Sequence, residues 1–241
     1  MRYMPKYFSR RHKGTEKGVQ SSKPAYSPCA VKLFFLIFFP IALWAEEDVY
    51  LYPLGPETMN AFIATSAILA EHPIVKGSFE QEKILSRLGR SLKSSGNLII
   101  AAEQGMVWDT LKPFPSTLAL GKDYLVQSRP GGQKSVLSAQ GNETFIRLAD
   151  VISSVFSGNT RGLLENFEIY YSGSASGWEL GLLPRDNAIA SFAVRITMKG
   201  DSAIRSILIN EQNGDSIFYV LSNHSYPSEL ALHEKSFFAI P

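Results

Sequence analysis

Residues 96–113 read "GNLIIAAEQGMVWDTLKP", and this stretch decides the fold. It is two short strands around a turn. Leu98, Ile100 and Ala102 alternate toward one face, and Trp108 follows the corner. Nothing in it has the chemistry to break a bond, so the apolar face is itself the candidate active surface.

Runs of the same kind surround it. "GSFEQEKIL" precedes it; "STLAL", "DYLVQS" and "KSVLSA" follow; "FEIYY", "WELGLLP", "IASFAVRITM", "AIRSILINE" and "SIFYVLSN" form a later meander. Gly, Pro, Asn and Ser punctuate them. In "IASFAVRITM", Phe192, Val194, Ile196 and Met198 alternate with Ser191, Ala193, Arg195 and Thr197, which predicts one apolar and one wet face. "RPGG" at Arg129–Gly132 and "NGD" at Asn213–Asp215 are hairpin turns.

Helices interrupt the strands. Glu57–Glu71 carries a stripe of Met59, Phe62, Ile63, Leu69 and Ala70, with Pro56 before it and His72-Pro73 to end it. Glu143–Phe156 places Phe145, Leu148, Ala149, Ile152, Val155 and Phe156 on one side, and Gly158 supplies a left-handed cap. A shorter helical turn is expected over Arg161–Asn166.

The runs count to a mainly β chain of about eleven short antiparallel strands with two or three helices. A sheet of that width curls rather than staying flat. Its inner face then makes either a filled core or a greasy pocket, and periodicity admits both.

The chain has 241 residues and a formal charge of +2. That charge misleads, because residues 1–45 hold eight Lys/Arg and one acid, Glu16. Removing this excess of seven leaves about −5 over residues 46–241, so nucleic-acid binding loses its electrostatic basis. The single cysteine, Cys29, lies in the front segment. The remainder therefore offers no disulfide, thiolate nucleophile or cysteine metal site.

"VKLFFLIFFPIALWA" has a Lys, an apolar run from Leu33 to Leu43, and Ala45 before Glu46, Glu47 and Asp48. The run is shorter than the roughly 20 residues a membrane-spanning helix needs, and it fits a secretory signal peptide cleaved after Ala45. Residues 1–45 are thus expected to be a leader and 46–241 a single exported domain. Because residues 31–45 alone form a complete leader, translation is expected to start at Val31. Peptides from residues 1–30 in the precursor's mass spectrum would overturn that start.

Other motifs carry little. His72, His224 and His233 lack metal-ligand spacing, and "GSASG" at Gly173–Gly177 has Ala175 where a nucleophile elbow needs serine. Glu80 and Glu82 share a strand face beside Lys83, which suits a solvated surface better than a carboxylate pair. No catalytic residue, metal ligand or cofactor site emerges.

The order of elements resembles the outer-membrane lipoprotein carrier (LolA) family. "VKGSFEQEKIL" is similar to that family's strand after the first helix, and "GNLIIAAEQGMVWDTLKP" has its Gly, apolar strand, turn, Trp and Pro. "LGKDYLV", "VFSGNTRGLLENFEIYY", "WELGLLPRDNAIASFAVRI" and a terminal strand at "KSFFAI" continue the similarity over about residues 57–240.

The resemblance implies an unclosed, strongly curved antiparallel β-barrel of about eleven strands, with two or three helices as a lid over an apolar cavity. It also implies a monomeric periplasmic carrier that holds the acyl chains of lipoproteins. It would take cargo from a lipoprotein-releasing ABC transporter of the inner membrane and give it to an outer-membrane lipoprotein receptor. The lipid-binding residues would be Phe79, Leu98, Ile100, Trp108, Leu118 and Leu120 from the strands and Phe145, Leu148 and Ile152 from the lid helix. Ala102 stands where the family carries an Arg that locks the lid, and alanine has no side-chain donor. A carrier for glycolipids and a lipid-sensing envelope-stress module are the alternatives.

Overall fold

The computed structural model describes residues 48–121, 124–131, 134–138, 151, 154–156, 158–174 and 176–239. The leader and the lid residues Phe145, Leu148 and Ile152 lie outside these described residues.

Eleven strands form one antiparallel sheet. The first six are β1 (Ile74–Leu85), β2 (Arg90–Ala101), β3 (Gly105–Lys112), β4 (Ser116–Leu120), β5 (Tyr124–Ser128) and β6 (Lys134–Ser138). The others are β7 (Phe167–Ser174), β8 (Gly177–Pro184), β9 (Ala193–Gly200), β10 (Ile204–Glu211) and β11 (Ser216–Ser225). Their spatial order, β6-β5-β4-β3-β2-β1-β11-β10-β9-β8-β7, is two meanders joined where β1 pairs with β11. β6 and β7 are the two edges, so the barrel is open. The expected strand count and fold class hold.

Helix α1 (Pro56–Leu69) starts where Pro56 supplies a preset φ and the Thr58 hydroxyl accepts from the Gly55 N–H at 3.0 Å. Its buried face is Phe62, Thr65, Ser66 and Leu69. Ile63, assigned above to the apolar stripe, is exposed instead. Thr65 is buried because its hydroxyl shares a 2.7 Å bond with the Tyr171 hydroxyl of β7, which satisfies a polar group in the core.

Residues 151 and 154–156 are helical, and Gly158 follows at φ +64°, the expected left-handed cap. A Cβ at Gly158 would lie 2.8 Å from both the Ala70 Cβ and the Ser66 carbonyl oxygen, so this glycine also admits α1. Helix α2 (Thr160–Asn166) is capped by the Asn159 side chain.

Two expectations fail locally. "IASFAVRITM" is not one strand. Asn187–Ala190 forms a short helix, α3, capped by Asp186. In β9 the pairing slips between Arg195 and Ala193. That extra residue turns Ala193 inward and leaves Val194 exposed, reversing the alternation before the slip, while Ile196 and Met198 are buried as the sequence predicts.

"KSFFAI" is not a terminal strand either. Leu232–Lys235 is a helical turn, α4, and Ser236–Phe238 a 3-10 turn. The Glu234 carboxylate accepts from the Ala231 N–H at 2.8 Å and so holds the segment helical.

Candidate functional site

Strand register sorts the side chains onto two faces. On the concave face, one row runs Val75, Ile100, Met106, Leu120 and Leu125 across β1 to β5. The next runs Gly77, Leu98, Trp108, Leu118 and Gln127. All six strand residues proposed above therefore share one face. Val75, Met106 and Leu125 belong with them: Val75 and Met106 are recoverable by counting in twos from Phe79 and Trp108, and Leu125 by its pairing with Leu120.

The proposed residues do not share one environment. Phe79 and Leu98 are each 1% exposed. With Ile100 they join a continuous core that includes Phe62 of α1, Val151, Val155 and much of β7–β11. Trp108 packs against this core but stays half-buried. Leu118 and Leu120 continue the rows onto β4 without joining the cluster, and Leu118 is half-buried.

Three rings meet beneath the rows. The Phe79 and Trp108 centroids are 4.4 Å apart, and Trp108 meets Tyr219 edge-on at 5.1 Å. Gly96 lies opposite Phe79 on β2. A Cβ at this glycine would fall 1.9 Å from the Asp109 carbonyl oxygen, so β2 and β3 approach there only because Gly96 has no side chain.

Toward the β1–β2 hairpin the rows become polar. Tyr219, Gln81 and Ser94 are neighbours across β11, β1 and β2, and Lys83 follows. Burial, and then the charge of Glu211, push the Tyr219 phenol up to about 12, so it stays a neutral donor. Lys83 Nζ donates to both oxygens of Glu211 at 2.9 Å. The face is thus amphipathic along its length. Among the described residues no cluster of His, Cys, Asp or Glu is placed to hold a metal ion.

The convex face has its own small core. Ile74, Ile99, Ala101, Val107, Ala119 and Val126 lie under Leu230, Phe237 and Phe238 of the C-terminal segment. Lys76 bonds Glu234 at 2.6 Å, and the Tyr124 hydroxyl donates to the Phe238 carbonyl. Burial alone would raise the Glu234 carboxyl, but Lys76 and the Ala231 N–H hold it below the usual carboxylate range. The run "LIIA" is apolar without a break because β2 is covered on both sides.

Ala102 does not continue that strand. It is exposed in the β2–β3 turn, where its N–H donates to the Pro73 carbonyl at 2.9 Å. The helix-to-sheet bond runs instead from β7, where the Tyr171 hydroxyl contacts Thr65 and donates to the Ala61 carbonyl at 3.4 Å.

No protein-family model matches the chain, and no curated protein does. Among solved structures it is similar to a LolA superfamily protein from Nitrosomonas europaea, at 8% identity and a TM-score of 0.44 over 75% of this chain and 97% of that one. It is similar to a DUF1329 family protein from Desulfovibrio piger, at 8% identity and a TM-score of 0.41 over 74% of this chain and 94% of that one. It is also similar to the lipoprotein LppX of Mycobacterium tuberculosis, at 12% identity and a TM-score of 0.39 over 73% of this chain and 100% of that one.

Proposed function

We propose that the chain is a periplasmic carrier that binds the acyl chains of lipoproteins on its concave face and shuttles them from the inner to the outer membrane. The observation that carries this reading is the second apolar row, in which Trp108 and Leu118 stay half-buried beside the sealed Leu98, Leu120 and Leu125. Each methylene withdrawn from water is worth about 0.8 kcal/mol, so such a face stabilises long chains without specific bonds. Residues 1–45 serve as the leader that exports it. The inner-membrane releasing transporter and the outer-membrane receptor are its partners, and it works as a monomer without cofactor. Tyr171 supplies the helix-to-sheet bond for which Ala102 has no donor.

The test is native mass spectrometry of protein expressed with its own leader, followed by solvent extraction. The expected result is a released acylated peptide or protein. A glycolipid in its place would assign the glycolipid-carrier alternative, and a ligand-free protein from every preparation would overturn the carrier reading.

A further inference from the structure

Residues 46–241 carry a net charge of about −5, yet one end of the sheet is basic. There the β1–β2, β3–β4 and β5–β6 turns carry Arg87, Arg90, Lys93, Lys112, Arg129 and Lys134, all exposed, with the β1–β2 hairpin reaching past the last β2–β3 pair, Ser95 and Lys112. Glu82 is the one carboxylate in the segments 82–93, 110–117 and 127–135, and Lys93 reaches it at 3.7 Å. The adjoining β10–β11 turn brings Glu211 and Asp215 to the same end, where Lys83 holds the first and the Ser86 N–H donates to the second at 2.9 Å. Among the described residues no carboxylate lies within ion-pair distance of Arg87, Arg90 or Lys112.

The same rim exposes large apolar side chains. Phe114 is 81% exposed, Leu88 68%, Leu92 56% and Leu111 49%. Phe114 sits between Pro113 and Pro115, whose rings fix φ on either side and keep the turn from folding its ring back. Lys93, Lys112 and Pro113 line one groove, so the two hairpins are neighbours.

Projecting Leu and Phe among Arg and Lys is the composition of an interfacial anchor. Rings and methyls borne on separate turn tips bury poorly against a flat protein face. They bury well in a medium that deforms around them. We propose that this rim docks the chain onto an anionic phospholipid bilayer, with Phe114 and Leu88 entering the acyl region and the cations on headgroup phosphates. This inference goes beyond the carrier reading and stands independently of what the concave face holds.

Tryptophan placed at the rim tests it. Phe114→Trp, Leu88→Trp and, as a control, Leu232→Trp on the C-terminal segment are mixed with vesicles of phosphatidylglycerol and acyl-brominated phosphatidylcholine. Quenching is expected at positions 114 and 88 and not at 232. The quenching read is that added over the wild-type protein, whose Trp44, Trp108 and Trp178 set the baseline, so binding through the apolar leader cancels between variants. Phe114→Ser with Leu88→Ser should lower vesicle partitioning about tenfold, and Arg87→Gln with Arg90→Gln should weaken the preference for phosphatidylglycerol. An unquenched indole at position 114, equal quenching at 232, or equal partitioning into pure phosphatidylcholine would each overturn the proposal.

Discussion

Replacing Phe79 by alanine is expected to lower the stability of the fold by about 3–5 kcal/mol, the range for deleting a buried ring. The reason lies in what surrounds it. Phe79 is 1% exposed and touches Trp108 at 4.4 Å and Tyr219 at 6.4 Å between ring centroids. Each such aromatic pair adds about 0.5–1.5 kcal/mol beyond area. The space left behind cannot be refilled from β2, because a side chain at Gly96 would strike the Asp109 carbonyl. Leu221, paired with Phe79 from β11, is already in the core. Urea unfolding followed by far-UV circular dichroism measures the change. A loss under about 1 kcal/mol would mean that the ring faces empty space rather than packed neighbours. Phe79 would then line the ligand face after all.

Which of these apolar residues are sealed and which stay half-buried was only half legible in the sequence. Alternation placed Phe79, Leu98, Ile100, Trp108, Leu118 and Leu120 on one face, and the register agrees. The strand count followed from turn residues such as Asn213-Gly214-Asp215, where Gly214 has φ +87°. What alternation does not encode is tertiary cover. Ile99 and Ala101 are as buried as their neighbours because the C-terminal segment packs on the outer side, a contact more than a hundred residues away in sequence. Thr65, outside the apolar stripe read for α1, is buried on its inner face, since Tyr171 supplies a partner that no local pattern reveals. The slip at Val194 inverts the period-two pattern ahead of it by inserting one residue, and a bulge leaves no compositional mark there. The exposed leucines of the rim were visible as letters. Their place at one end of the sheet with Arg87, Arg90 and Lys112 needed the strand order.

Leu118→Glu should abolish acyl occupancy while the protein stays folded. Leu118 shares its row with Leu98 and Trp108, so a carboxylate there lies directly on the proposed chain-binding surface. It is half-buried and outside the continuous core, and β4 pairs it with Gln127, so the charge can reach water in the empty protein. With hydrocarbon over it, the same charge must be desolvated, a cost of several kcal/mol that outweighs the contribution of a few methylenes. Leu98→Glu would be a poor substitute: at 1% exposure it charges the core itself and tests folding instead. The measurement pairs native mass spectrometry of Leu118→Glu with its unfolding midpoint. Wild-type lipid content together with a wild-type midpoint would remove the β1–β5 rows as the binding surface. Loss of lipid with a preserved midpoint would fix the cargo to them, and Leu118→Met, which keeps the volume and the polarity, should then retain it.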